Sequence, residues 1–344
     1  MSDPLTYPFT APPADAATLE VAPGVFWLRL PLPFALDHIN VWLLDDRDGW
    51  TLVDTGVGLA EGRDLWRGLF ETALGGRPLR RIIVTHYHPD HIGQAAWLAE
   101  RFDAPVHITE TEMATASELV AMPENEAGER LADLFERHGL DAERAGRLRT
   151  RGNTYHRLVP AVPEQHSRLS EGDEIDIGAR RWRIIIGRGH APEHACLFSE
   201  GPGQPLLISG DQVLPRISSN ISVHPGAEDQ DPLGDFLASL RRLSDLPEET
   251  RVLPSHGWVF EGLRQRCERL ATHHERHLDN LRAECSAPRS AADILPVLFR
   301  RTLDAHQITF AMGEAIAHLL HLERHGDVQR VAGEVVRFVR SPAC

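Results

Sequence analysis

Between Thr85 and His91 the chain reads Thr-His-Tyr-His-Pro-Asp-His, which sets His86, His88, Asp90 and His91 within six residues. Imidazoles and a carboxylate packed this densely need hydrogen bonds or a cation to be buried at reasonable cost. The cluster lies at the end of the apolar run Arg81-Ile82-Ile83-Val84 and at the start of a helical pattern over 91–102. Alternate residues of an extended strand point the same way, so His86 and His88 can grip one ion. Asp90 and His91 fall past a turn and can reach a second. Nitrogen and carboxylate donors suit zinc, iron or manganese rather than a thiolate site.

Around this cluster the chain alternates short apolar runs with turn residues. Val25–Leu30, Ile39–Leu44 and Trp50–Asp54 read as strands, with a hairpin turn over Asp45–Gly49. Leu65, Leu69, Phe70 and Leu74 have helical spacing. Residues 110–165 begin with helical, charged sequence and read as an insertion between two β-rich halves. The second half carries strands at 181–187, 194–199, 205–211 and 251–256. Leu263, Cys267, Leu270, His274, Leu278, Leu281 and Cys285 then recur every three or four residues, so one face of a long helix over 261–284 packs. Two further helical patterns and a short hairpin close the chain. The expected division is a main domain over 19–262, with 110–165 inserted in it as a lid, and a connector helix with a small winged-helix-like module over 263–344.

Three further candidates fall at strand ends: His190 after the 181–187 run, Asp211 after Leu-Leu-Ile-Ser-Gly, and His256 after Arg-Val-Leu-Pro-Ser. Each alone reads as a turn or surface residue. Their order does not. His-x-His-x-Asp-His, then Gly-His, then Gly-Asp, then a strand-end His resembles the metallo-β-lactamase superfamily, in its glyoxalase II-like dinuclear branch, over about residues 19–260. The resemblance implies an α/β fold, an αβ/βα four-layer sandwich. It also implies two divalent metal ions, zinc first, with iron or manganese as alternatives. His86, His88 and His190 would hold one ion, Asp90, His91 and His256 the other, and Asp211 would bridge them. Asp54, in Leu-Val-Asp-Thr-Gly, matches the strand-end aspartate that orients a ligand from behind. Many true β-lactamases carry cysteine at the position of Asp211, so antibiotic hydrolysis is not expected.

The activity implied is hydrolysis by a metal-bridging hydroxide, with Asp90 orienting the hydroxide and carrying a proton. A thioester of the acyl-CoA or glutathione type is the leading substrate. A lactone or ester is the closest alternative, and endoribonuclease action using the C-terminal module is the other. Tyr155 and His156 in the insertion, and Arg216, Asn220 and His224 in the loop after Asp211, are candidate substrate contacts. Met113, Met122, Leu131, Leu134 and Phe135 would give the lid an apolar character suited to an acyl chain.

Composition narrows the partners. The 344 residues carry a net charge of -14 with histidine neutral, which disfavours nucleic acid and anionic membrane surfaces. Against this, Arg300, Arg301, Arg324, Arg330, Arg337 and Arg340 could give the tail a basic face. Four cysteines without C-x-x-C spacing, no leader-like start and no run of 18 apolar residues point to reduced thiols, no membrane span and a cytoplasmic location. Exposed faces of the tail could support a homodimer. Nineteen histidines include Thr-His-His-Glu-Arg-His at 272–277, which is not the His-Glu-x-x-His pattern and reads as an ordinary helix face.

Overall fold

The computed structural model describes residues 5–14, 16–299 and 303–342. Arg300, Arg301 and Cys344 lie outside the described residues. The strands in chain order are β1 (Thr18–Ala22), β2 (Val25–Pro31), β3 (His38–Asp46), β4 (Gly49–Val53), β5 (Leu79–Ile83), β6 (Val106–Thr109), β7 (Ser167–Leu169), β8 (Glu174–Ile177), β9 (Arg180–Gly187), β10 (His194–Ser199), β11 (Leu206–Gly210), β12 (Arg251–Pro254), β13 (Phe260–Glu261), β14 (Val328–Val331) and β15 (Arg337–Arg340). The helices are α1 (Ala60–Glu71), α2 (Pro89–Ile92), α3 (Ala95–Phe102), α4 (Glu110–Ala121), α5 (Glu126–Arg137), α6 (Ala142–Arg149), α7 (Thr154–Leu158), α8 (Pro232–Ser244), α9 (Leu263–Glu284), α10 (Ala291–Leu298) and α11 (Ala305–Arg324).

The chain forms two compact units. The first holds 1–121, 154–219 and 242–267; the second holds 122–153, 220–241 and 268–344. In the first unit, β1 to β7 form one mixed sheet in sequence order, and the second sheet runs β13-β12-β11-β10-β9-β8. Period-two alternation sorts the side chains between layers. Ile39, Val41 and Leu43 of β3 join the cluster containing Trp66, Leu69 and Leu98 of α1 and α3. Trp42 and Leu44, on the other face of β3, join Trp182, Ile184, Leu197 and Ile208 of the second sheet. β2 divides in the same way, Leu28 and Leu30 going to the helix layer and Val25 and Trp27 to the space between the sheets. A strand buried on both faces reads as an unbroken apolar run, which is what β3 shows.

The expected insertion is not one body. Residues 110–121 and 154–165 belong to the first unit, and 122–153 to the second. Leu134 and Phe135 are core residues, 0% and 1% exposed, and Met113 packs in the helix layer of the first unit. These three apolar side chains therefore serve packing. In the second unit α10 and α11 precede the antiparallel pair β14–β15, the helix–helix–hairpin order read from the sequence. No helix among the described residues is long and apolar enough to cross a membrane. Cys196, Cys267 and Cys285 are buried and form no disulfide.

Candidate metal centre

Five strand ends build the site. Asp54 follows β4, residues 84–91 follow β5, His190 lies three residues beyond β9, Asp211 directly follows β11, and His256 lies two beyond β12. β4 pairs parallel with β5, and β11 with β12, so those carboxyl ends share an edge within each sheet. The two sheets are joined near the site by Ala195 N donating to Thr85 O at 2.8 Å and Asn40 N to Ser255 O at 2.7 Å. β5 ends at Ile83, so His86 and His88 stand on the loop that follows it rather than at alternate positions of a strand. They converge through the turn into α2 instead, with His86 Nε2 2.9 Å from His88 Nδ1.

His190 Nε2 is 3.2 Å from His86 Nε2. His256 Nε2 is 3.3 Å from both Asp90 Oδ2 and Asp211 Oδ1. His91 Nε2 lies 3.5 Å from Asp90 Oδ2 and 3.7 Å from Asp211 Oδ1, and Asp211 Oδ2 reaches to 3.5 Å from His190 Nε2. Three donor groups that can hold a metal ion result: His86–His88–His190, His86–His91–Asp211 and Asp90–His91–His256. Asp211 thus touches both histidine sets, as a bridging carboxylate must.

The outer nitrogens are tied to the scaffold, which leaves the inner ones bare. His91 Nδ1 donates to Asp54 Oδ2 at 2.8 Å. Thr85 donates its hydroxyl to Asp54 at 3.0 Å, which leaves its oxygen to accept His86 Nδ1–H at 3.0 Å. His256 Nδ1 donates to the His38 carbonyl at 2.8 Å. This arrangement aims each Nε2 lone pair inward, as metal-ligating histidines require. His91 Nε2 and Asp211 Oδ1 are fully buried and make no hydrogen bond with any described residue. Inward lone pairs and orphaned buried donors fit divalent cations.

The electrostatics agree. Burial and neighbouring imidazoles push His86 and His88 well below the usual histidine value, so both are neutral. Burial favours a neutral Asp90, yet His91 and His256 bring it down to about 2. Asp211 is likewise held well below the carboxylate range by His256 and His91 against its burial. Against their burial, the same carboxylates raise His256 to about 10 and His91 well above the usual histidine value, so a cation binding there would displace protons from these Nε2 atoms. The cluster is therefore a concentration of negative charge that a cation would neutralise.

The expected substrate contacts fare differently. Tyr155 donates its hydroxyl to the Tyr87 carbonyl at 2.5 Å, inside the motif loop, so it braces the loop. His156 is exposed on α7, and Arg216 is exposed with its guanidinium 5.7 Å from the Tyr7 ring. Asn220 and His224 fall in the second unit, where Asn220 Nδ2 donates to Ser222 Oγ at 2.7 Å. A mainly apolar 600 Å³ pocket is lined by residues including Leu30, Leu32, Thr55, Val57, Leu65 and Trp66. It shares Thr55 with the wall of the cluster, since Thr55 donates its hydroxyl to the His91 carbonyl at 2.7 Å.

Two residues of the site escaped the sequence reading. His194 is buried, its ring 4.7 Å from that of His86, and its Nε2 accepts the Asp211 backbone N–H at 3.0 Å. Its one signal is a second histidine four residues after His190. A Cβ at Gly210 would lie 2.3 Å from this imidazole, so glycine is needed there for space as well as for its φ of 53°. Glu112 accepts the backbone N–H groups of Tyr87 (2.9 Å) and Glu193 (2.6 Å), tying the motif loop to the start of β10; nothing in its sequence context marks it.

Comparison with known proteins follows the same lines. The profile of the Metallo-beta-lactamase superfamily matches residues 35–256, and that of the Metallo-beta-lactamase-like, C-terminal domain matches 278–341. A crystal structure of a beta-lactamase domain protein from Burkholderia ambifaria is 46% identical, covers 98% of each chain and superposes with a TM-score of 0.91. The acyl-coenzyme A thioesterase MBLAC2 of Gallus gallus is 29% identical over 73% of this chain and 83% of its own. The hydroxyacylglutathione hydrolase of Idiomarina loihiensis is 24% identical over 65% of this chain and 64% of its own.

Proposed function

The chain belongs to the metallo-β-lactamase superfamily of metal-dependent hydrolases, and from that membership we propose that it hydrolyses a thioester of the acyl-CoA or glutathione type. The observation that carries the reading is the convergence of His86, His88, Asp90, His91, His190, Asp211 and His256 around orphaned inward-facing donor atoms. These residues would hold two divalent ions, zinc first, with iron or manganese as alternatives. Such ions supply Lewis acidity and lower the pKa of water towards neutrality. The Asp90 carboxylate, ionised at any ordinary pH, accepts a hydrogen bond from the attacking water and orients it. Asp54 and Thr85 fix the ligand tautomers, and Glu112 and Tyr155 hold the loop that presents them.

The choice of a thioester rests on two supports. With His91 and His256 engaged as ligands, the cluster's carboxylates are ionised and offer no proton to a leaving group. A thiolate, whose conjugate acid has a pKa of about 8.5, departs with less need of a proton than an alkoxide or an amine. The names of the chicken and Idiomarina relatives supply the second support. The 600 Å³ apolar pocket is the candidate seat of an acyl chain. Nucleic acid is not the expected substrate, and the protein is expected to act in the cytoplasm.

The test is a hydrolysis screen of metal-loaded wild type and Asp90→Ala protein on acyl-CoA and glutathione thioesters, lactones, nitrocefin and single-stranded RNA. Thiol release is expected from wild type, with a loss of about a hundredfold or more in the variant. No thiol release alongside rapid turnover of a lactone or RNA would sink the reading.

A further inference from the structure

The histidine-rich stretch at 272–277 meets a partner that the sequence does not reveal. Within the second unit, His274 of α9 lies against Glu314 and His318, one turn apart on α11. His274 Nδ1 is 3.2 Å from His318 Nε2. His274 and His318 are 0% exposed and Glu314 8%. Donor atoms of the three lie within 4.8 Å of one another. We propose that His274, Glu314 and His318 form a further divalent-cation site of zinc type, separate in residues and in role from the first cluster, that clamps α9 to α11 in the second unit.

The tautomers argue for it. His318 Nδ1 is 2.8 Å from the Glu314 backbone carbonyl, which can only accept, so the proton sits on Nδ1 and Nε2 is a bare lone pair. A ligating histidine whose other nitrogen donates to a backbone carbonyl is the arrangement that orients metal ligands elsewhere. His274 Nδ1 is the nitrogen that faces this lone pair, so it is the atom a cation would take, with the His274 proton then on Nε2. Phe236 packs edge-on against His274 with centroids 5.6 Å apart and offers no competing hydrogen bond.

Geometry and charge point the same way. A tetrahedral ion with bonds of about 2.0–2.1 Å sets its ligand atoms about 3.3 Å apart, close to the 3.2 Å between the two imidazole nitrogens. Burial, with the neighbouring imidazoles, pushes His274 down to about 2, and burial takes His318 to about 3, so both are neutral ligands at any working pH. Burial alone raises Glu314 to about 7, because no cation among the described residues balances its carboxylate. Two neutral imidazoles and one carboxylate, with no thiolate, make a His₂Glu donor set known to hold zinc, with one coordination position left open.

The test counts metal in the full-length protein. Chelator-stripped wild type, His318→Ala and Glu314→Gln are reloaded with zinc, desalted and measured by mass spectrometry, with circular dichroism as a check on folding. Against whatever wild type binds, His318→Ala is expected to lose one equivalent, and Glu314→Gln to bind that equivalent about tenfold or more weakly. Loading with cobalt is expected to give visible bands of a tetrahedral ion, part of which disappears in His318→Ala while His88→Ala retains it. Equal zinc content and equal affinity in wild type and both variants overturns the proposal. Should His318→Ala fail to fold, the isosteric Glu314→Gln decides by the same measure. Loss of metal in His88→Ala with none in His318→Ala or Glu314→Gln bears out the first cluster and overturns this site; loss in His318→Ala with none in His88→Ala bears out this site and speaks against the first cluster's reading.

Discussion

Asp54 adopts a φ of 64°, a left-handed conformation that non-glycine residues take only when the surroundings demand it. Its carboxylate accepts from Thr85 N, Thr85 Oγ1 and His91 Nδ1, all within 3.0 Å. Asp54→Ala strands buried donors, costing about 1–3 kcal/mol, and releases the His91 ring. Metal affinity, read by chelator competition, is expected to fall about 10–100-fold. A substitution that left affinity unchanged would mean that packing alone orients His91. The strand-end Asp-Thr-Gly made Asp54 visible in the sequence, and the dense histidine motif did the same for His86 to His91. Glu112 had no sequence signal and His194 only its spacing from His190, because each acts through backbone N–H groups brought near by folding.

Elements follow local rules where their sequences are long and apolar. β2, β3 and β9, and the buried face of α9 from Leu263 to Cys285, lie where periodicity puts them. β7, β8 and β13 have two to four residues each, several of them polar, and exist only because a neighbouring strand pairs with them. Helix α10 begins with a capping box: Ser290 Oγ accepts Asp293 N at 3.2 Å, and Asp293 Oδ2 accepts Ser290 N at 2.9 Å. Ser290→Ala is expected to cost about 1 kcal/mol in denaturant unfolding; an unchanged midpoint would show that tertiary packing holds this terminus. On β6, burial and then Arg81 lower His107 to about 4. Unfolded histidine titrates near its ordinary 6.5, so the contribution of His107 is complete above pH 6.5. It drains away as pH falls from there towards 4, since the unfolded chain takes the proton first. His107→Leu should flatten the fall of melting temperature across that window, and an identical slope in both proteins would contradict the assignment.

For the whole molecule, charge decides between partners. Among the described arginines of the tail, Arg330 pairs with Glu323 at 2.8 Å, Arg337 lies 4.0 Å from Asp293, Arg340 donates to the Arg282 carbonyl, and Arg324 donates to the Asp229 carbonyl. With these groups engaged and a net charge of -14, binding to single-stranded RNA at physiological salt is expected to be undetectable by anisotropy. Tight binding that weakens steeply with salt would reverse this. Removing metal is expected to abolish hydrolysis and to lower the melting temperature, because ligands that bind the folded state stabilise it by mass action. At a hundred times Kd that amounts to about 2.7 kcal/mol. Added zinc should restore both in a concentration-dependent way; a melting curve indifferent to chelator would exclude metal-linked stability.

The sequence by itself marked the apolar strands and the run of candidate ligands, because apolar runs and a six-residue cluster of ligand types are local properties that need no knowledge of the fold; the layered sandwich came from the family resemblance. It also set out the order of distant ligands: His190, Asp211 and His256 each sit just past an apolar run. The tertiary structure alone decided what those positions face. It moved His86 and His88 off the strand and onto its loop, and set the Tyr155 hydroxyl on the Tyr87 carbonyl of the motif. It divided the expected lid between two units, and set His274 against Glu314 and His318, forty and more residues away. The physical reason is the same in each case: side-chain chemistry is written residue by residue, whereas a partner is chosen only when long-range packing closes the chain on itself.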